Sequence, residues 1–199
     1  LVNELVRVAD QVVIGGAMAN TILAERGYSM GSSKVEPEQK EAVDKINNAV
    51  VKKVGEQFKD NFLVLPTDLA VARSVDPRAL RRSVDIDQLA DDDIALDIGD
   101  KSIERMAEAI QRAQTIIWNG TIGMAELPNF AHGSARAALE IAQGKGQMSI
   151  IGGGDTADFV LHWDARNGDS FSHVSTGGGA SLELMAGEKL PGIECLLDD

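Results

Sequence analysis

Short apolar runs recur along the chain, each closed by a glycine or polar turn and followed by residues at the helical spacing. Gln11-Val12-Val13-Ile14 leads into Gly15-Gly16, and the spacing predicts a helix over 17–25, closed by Gly27. A long helix is expected over 36–58, because Val43, Ile46, Val50, Val54 and Phe58 fall on one face. Glu36-Pro37-Glu38 supplies first-turn acids and a proline suited to its start. Phe62-Leu63-Val64-Leu65-Pro66 reads as a buried strand. Residues 68–93 are acidic and irregular, with a short hairpin around Val84 and Ile86. Further helices are expected over 100–113, 130–143, 156–165 and 180–185, and further strands over 115–118, 148–151 and 171–174.

The strand runs are continuous rather than alternating, so each strand is buried on both faces. With helices between them, this predicts a three-layer, Rossmann-like α/β fold, a parallel sheet with helices on both faces. Right-handed crossovers then bring the carboxyl ends of the strands to one edge, where ligands of such sheets sit. Gly15-Gly16, Asn119-Gly120, Gly152 to Gly154 and Gly177 to Gly179 all fall at that edge. No linker and no fixed-period repeat interrupts the pattern, so residues 1–199 read as a single domain.

Composition narrows the partners. Hydrophobic residues make up 44% and charged residues 25%, an ordinary globular balance. A net charge of −12 argues against nucleic acid or an acidic membrane surface, since both need a basic stripe. A phosphate site survives this balance, because backbone N–H groups can supply it. The single cysteine, Cys195, allows no internal disulfide and points to a reducing, cytoplasmic compartment. No apolar run reaches the ~18 residues of a membrane span. Residues 1–6 lack the charged leader of a signal peptide, and the absence of an initiating Met predicts a truncated chain.

Two triple-glycine turns carry the candidate chemistry: Gly152-Gly153-Gly154-Asp155-Thr156 after one strand, and Ser175-Thr176-Gly177-Gly178-Gly179 after the next. Glycine is poor in strands and helices, so such junctions need a reason. A helix start presents unpaired donors and a partial positive charge, which suit phosphate. In the first turn Asp155 is either a helix N-cap beside a plain turn, or faces a metal while backbone N–H groups and the Thr156 hydroxyl meet phosphate oxygens. An aspartate beside phosphate is repelled unless a cation lies between, so the second reading fits a magnesium nucleotide better than a metal-free pyrophosphate. Gly152-x-Gly154-x-x-Ala157 also matches a dinucleotide fingerprint, which would make the chain an NAD-dependent oxidoreductase. The next strand, however, ends in Val174-Ser175-Thr176 without the ribose-binding acid.

Gly177 to Gly179 either let a helix pack close to the sheet or aim backbone donors at a phosphoryl group in transfer. A third stretch runs Trp118-Asn119-Gly120-Thr121-Ile122-Gly123-Met124-Ala125-Glu126. There Trp118 reads as core, and Glu126 is either a solvated acid or an acceptor for ribose hydroxyls. His132, His162 and His173 show no ligand spacing, and Asp91-Asp92-Asp93 reads as a solvated turn.

Taken in order, Val13-Ile14-Gly15-Gly16-Ala17-Met18-Ala19, Leu96-Asp97-Ile98-Gly99, Trp118-Asn119-Gly120, Ile151-Gly152-Gly153-Gly154-Asp155-Thr156-Ala157, Ser175-Thr176-Gly177-Gly178-Gly179-Ala180-Ser181-Leu182-Glu183 and Leu190-Pro191-Gly192 form a recognisable series. Over essentially its whole length the chain resembles the C-terminal, nucleotide-binding domain of phosphoglycerate kinase. The resemblance implies reversible phosphoryl transfer between 1,3-bisphosphoglycerate and ADP, with Mg²⁺, giving 3-phosphoglycerate and ATP. It implies that Gly15, Gly16, Ala17 and Leu96 line the adenine, that Asn119 and Gly123 lie along the nucleotide, and that Glu126 binds the ribose. It places Gly153, Gly154 and Thr156 on the phosphates, Asp155 on Mg²⁺, and Gly177, Gly178 and Gly179 at the helix start that stabilises the transferring phosphoryl. The chain departs from the family pattern at Thr121 and Asp100, where proline is usual, at Met124-Ala125, where Val-Phe is usual, and at Ala17, where a third glycine is usual.

Family members are about twice this length, with a basic N-terminal domain for the phosphoglycerate and a lysine-bearing Gly-Gly-Ala-Lys strand. Neither is in this sequence, so the expectation is a cytoplasmic, monomeric fragment that binds ADP or ATP and turns over little or not at all. A non-catalytic nucleotide-binding module is the second reading.

Overall fold

The computed structural model describes residues 2–175 together with 187, 190 and 195. The elements run α1 Val2–Val8, β1 Val12–Val13, α2 Gly16–Glu25, α3 Lys40–Val54, α4 Lys59–Phe62, β2 Leu63–Val64, β3 Asp68–Ala72, β4 Arg82–Asp85 and β5 Ile94–Ile98. They continue with α5 Asp100–Arg112, β6 Thr115–Asn119, α6 His132–Gln143, β7 Met148–Gly152, α7 Gly154–Trp163 and β8 His173–Val174. The helix expected over 180–185 and the turn Gly177 to Gly179 lie outside the described residues.

Successive residues of β1 show the layering. Val12 and Ile14 pack into a cluster with Val6, Ile22, Leu23, Val43 and Val50 of the first helices. Val13, on the opposite face, packs against a second cluster that includes Ile103 and Met106 of α5 and Ile116, Trp118 and Ile151 of the strands. The strand is thus covered by helices on both sides, as a continuous apolar run requires. β1 pairs with β2 in parallel, and Ile14 N–H extends the ladder to the Val64 carbonyl at 3.0 Å. β6, β7 and β8 form a parallel sheet in that order, with Thr115 opposite Met148 and Asn119 opposite Gly152. The α/β, Rossmann-like expectation holds.

Residues 68–98 differ from a purely parallel sheet. Here β4, β3 and β5 form an antiparallel sheet in that order. The sequence reading gave only its hairpin; β5 escaped because Asp97 breaks its apolar run. Asp93 is not a solvated turn acid either: it is buried, pairs with Arg82 and accepts from Ala90 N–H. The long helix is shorter than its periodicity. It starts at Lys40, after Glu38 adopts a left-handed φ of 57°, and stops at Gly55 with φ 84°. Val43 and Val50 are buried as expected, but Phe58 lies past the stop and is exposed. α1 has no counterpart in the sequence reading.

The α5 start is held from another element. Its N-cap, Gly99, offers no side chain, and the buried Asp68 of β3 accepts from Lys101 N–H at 3.0 Å and Ser102 N–H at 2.8 Å. The Ser102 hydroxyl donates to the same carboxylate and accepts from Thr67 N–H. A Cβ on Gly99 would fall 2.3 Å from that carboxylate, so the glycine makes room for the borrowed cap. Among the described residues no helix is long and apolar enough to cross a membrane.

Asp68→Ala should lower stability by about 1–3 kcal/mol, because it strands buried donors at the head of α5. A urea titration with an unchanged slope and a lowered midpoint would show it; an unchanged midpoint would refute the capping role.

Candidate functional site

The register Asn119 opposite Gly152 brings the ends of β6 and β7 to one level. Beyond them Gly153 takes φ 88°, and a Cβ there would lie 3.0 Å from the Asn119 amide oxygen. Gly153 is the N-cap of α7, and no side chain caps that helix. Gly154 and Asp155 are exposed, and a Cβ on Gly154 would meet nothing within 4 Å. Asp155 therefore sits within the first turn of α7 rather than at the cap. Of the two readings of Asp155, the N-cap is not the one adopted.

Thr156 is fully buried, and its hydroxyl accepts from Gly120 N–H at 2.7 Å. The Gly120 carbonyl in turn accepts from the Trp118 indole at 2.8 Å. The sequence reading aimed the Thr156 hydroxyl at phosphate; here it ties the β6 turn to the head of α7. Trp118 is core, as expected, edge-on to Phe159 at 6.3 Å.

A second group forms around Ile122. A Cβ on Gly15 would lie 3.0 Å from the Ile122 side chain and carbonyl, and Gly16, at φ 61°, lies beside the same carbonyl. Ala17 follows in the first turn of α2 and is half-buried. Ile122 N–H donates to the buried Ser134 hydroxyl at 3.0 Å. Met124 N–H donates to the Leu96 carbonyl at 2.8 Å, which sets the turn carrying Gly123 against β5. The structure thus brings Gly15, Gly16, Leu96 and Gly123 together around one loop, and Asn119, Gly153, Gly154, Asp155 and Thr156 together around the next. Segment 119–124 joins the two groups. Glu126 is exposed, and no hydrogen bond or ion pair among the described residues engages it.

The residue that sequence reasoning missed is Asp97. Its carboxylate is 4% exposed and accepts from Gly133 N–H at 2.9 Å and from Ile98 N–H at 2.9 Å. A Cβ on Gly123 would lie 2.5 Å from it, and one on Gly133 2.6 Å. Burial pushes its pKa from the ordinary 3.8 up to about 6, against the pull of the Gly133 and Ile98 N–H groups and Arg81. The signal available was a charge inside the apolar run Ile94-Ala95-Leu96-Asp97-Ile98.

Fold and site define a Rossmann-like α/β protein with glycine turns at the carboxyl ends of its parallel strands β1, β6 and β7. The chain belongs to the phosphoglycerate kinase family, whose sequence profile matches residues 1–188. The phosphoglycerate kinase of Desulfosudis oleivorans is 42% identical over 194 residues, 97% of this chain and 46% of that protein. That of Dictyoglomus turgidum is 40% identical over 198 residues, all of this chain and 48% of that protein. The solved structure of phosphoglycerate kinase from Coxiella burnetii superposes with a TM-score of 0.86 at 34% identity, over 98% of this chain and 48% of that one. The chain spans about half the length of the relatives it matches.

Asp97 gives a signed pH dependence. The folded state holds its proton more tightly than the unfolded chain, so this group favours folding at low pH. That contribution fades as pH rises from about 4 to about 6, by on the order of 3 kcal/mol. Unfolding free energies of the wild type and Asp97→Asn, measured from pH 4 to 7, should differ by an amount that moves in this direction; a constant difference would refute it.

Proposed function

We propose that the chain is the nucleotide-binding half of a phosphoglycerate kinase, a cytoplasmic, glycolytic phosphotransferase, and forms a single domain over 1–199. In the proposed reaction a β-phosphate oxygen of ADP attacks the phosphorus of the 1-phosphoryl group of 1,3-bisphosphoglycerate. The bond to the carboxyl oxygen breaks, and 3-phosphoglycerate leaves as the carboxylate, with ATP formed. The observation that carries the reading is the uncapped head of α7, opened by Gly153 and Gly154 at the sheet edge beside an exposed aspartate.

Each group in this reading has a role set by its chemistry. Backbone N–H groups of Gly154, Asp155 and Thr156 hold phosphate oxygens at the positive end of the helix. The Thr156 hydroxyl acts through Gly120, keeping the two turns at a fixed spacing. Gly15, Gly16, Ala17 and Leu96 take the adenine, Asn119 and Gly123 flank the nucleotide, and Glu126 accepts from the ribose. Gly177, Gly178 and Gly179, which follow β8 in the sequence and lie outside the described residues, supply donors to the phosphoryl in transfer. Among the described residues no group of three or more His, Cys, Asp or Glu is placed to hold a metal ion. A lone carboxylate at a phosphate edge fits Mg²⁺, which keeps most of its waters and binds through one or two carboxylates plus phosphates. Held by Asp155 and the nucleotide, the ion would offset the phosphate charge.

In this reading the phosphoglycerate is bound by a part of the enzyme outside these 199 residues. Calorimetric titration of the 199-residue chain should therefore show Mg-ADP binding and none of NAD, with Asp155→Asn weakening binding in the presence of Mg²⁺ but little in its absence. Tighter NAD binding would overturn the assignment. A coupled assay on the same chain should give little or no turnover; a near-normal rate would refute the need for the second half.

A further inference from the structure

We propose that Asp97 is a positioning residue for nucleotide binding: its carboxylate pins the head of α6 and the 121–124 turn to β5, and so fixes the wall against which the nucleotide is seated. The inference rests on the nucleotide reading above and adds to it a residue that no part of that reading requires.

The geometry is a three-way junction. From β5, Asp97 reaches the first turn of α6 through Gly133 N–H, in a helix whose N-cap, Ala131, has no capping side chain. Gly123 lies directly against the same carboxylate, so the turn between the two glycine groups rests on it. Ile122 fills the remaining corner, touching Gly133 and Gly15 and bonded to Ser134. A carboxylate bound to backbone donors at a helix head forms charge-assisted bonds, roughly twice as strong as those of a neutral acceptor. Loss of the charge loosens Gly133, and through Ile122 and Gly123 it loosens the floor under Gly15 and Gly16.

The charges that face Asp97 are few. The segment ahead of β4 brings Arg81, which also holds Asp100 at 2.8 Å and the Ile98 carbonyl at 3.2 Å. The α6 head brings His132, whose backbone N–H points to the carboxylate while its ring is exposed. β3 brings Ala70, the register partner of Asp97, and the 121–124 turn brings Gly123; neither carries charge. A merely structural cap would be placed where its ionisation is favourable. Asp97 is instead buried so that its charge opposes folding near neutral pH, the pattern found where stability is given up for a working site.

The test separates folding from binding. Asp97→Asn keeps the shape and an acceptor but removes the charge. At pH 7.5 its urea midpoint should equal or exceed that of the wild type, while its affinity for Mg-ADP falls about tenfold, within the range of a coupling of this kind. The ratio of the two affinities, which cancels titration of the nucleotide itself, should shrink towards one by pH 5. A ratio near one at every pH overturns the inference while wild-type binding of Mg-ADP preserves the nucleotide reading; no wild-type binding overturns both. Should the variant not fold, hydrogen exchange of the wild-type segment 121–133 decides. Corrected for intrinsic rates, its protection should fall between pH 7 and 5 relative to β6 and β7; unchanged protection overturns the inference.

Discussion

The arrangement depends on buried carboxylates that cap helices belonging to other elements. α5 and α6 both begin without a capping side chain of their own, and each takes its acceptor from a strand: Asp68 for α5 and Asp97 for α6. Orphan donors at a buried helix head are costly, so the strand aspartate and the helix must form together. Glycine appears where the carboxylate arrives, at Gly99 in one case and Gly133 in the other, because a Cβ would occupy the same space. Asp164 repeats the device in a loop, accepting from Arg166, Gly168 and Ser170 N–H groups. Backbone donors bind it more favourably than burial penalises it, and its pKa lies below the ordinary range. Asp97 has the opposite balance, and that difference separates a loop organiser from a strained junction.

This capping scheme explains how the candidate site acquires its shape without lysine or arginine in its turns. α6 is fixed by β5, so the segment before it is fixed at Ile122 and Gly123. β6 and β7 are fixed by their register, so Asn119 meets Gly153. The Thr156 hydroxyl then joins the two by holding Gly120. α7, like α2, starts at a glycine without a capping side chain, and it carries Asp155 in its first turn. In the proposed reading, an acidic protein offers an anion site built from backbone dipoles.

Much of this was legible in the sequence because it rests on local rules. Continuous apolar runs gave β6 and β7, helical spacing gave α5 and α6, and the glycine turns marked the sheet edge. What stayed hidden depends on partners far apart in the chain. β5 holds an aspartate that looks like a surface residue until Gly133 is seen beside it. Thr156 reads as a phosphate ligand in isolation, and only the neighbouring turn shows what its hydroxyl holds. The start of α3 is not legible because Glu36-Pro37-Glu38 has helix-start chemistry, while Glu38 adopts a left-handed conformation that no propensity favours. Asp93 reads as solvated because Asp91 and Asp92 beside it are exposed, although Arg82 lies across the sheet from it.

The interlocking of carboxylate and glycine also limits how the sequence can drift. At the α6 head, Asp97, Gly123, Gly133 and Ile122 share one small volume, and none can grow unless another shrinks. A lineage that altered one of them would pass through a clashing or an uncapped intermediate before a second change restored the fit. The four positions are therefore constrained as a block, whereas a surface pair such as Lys45 and Glu41 leaves room for one change at a time.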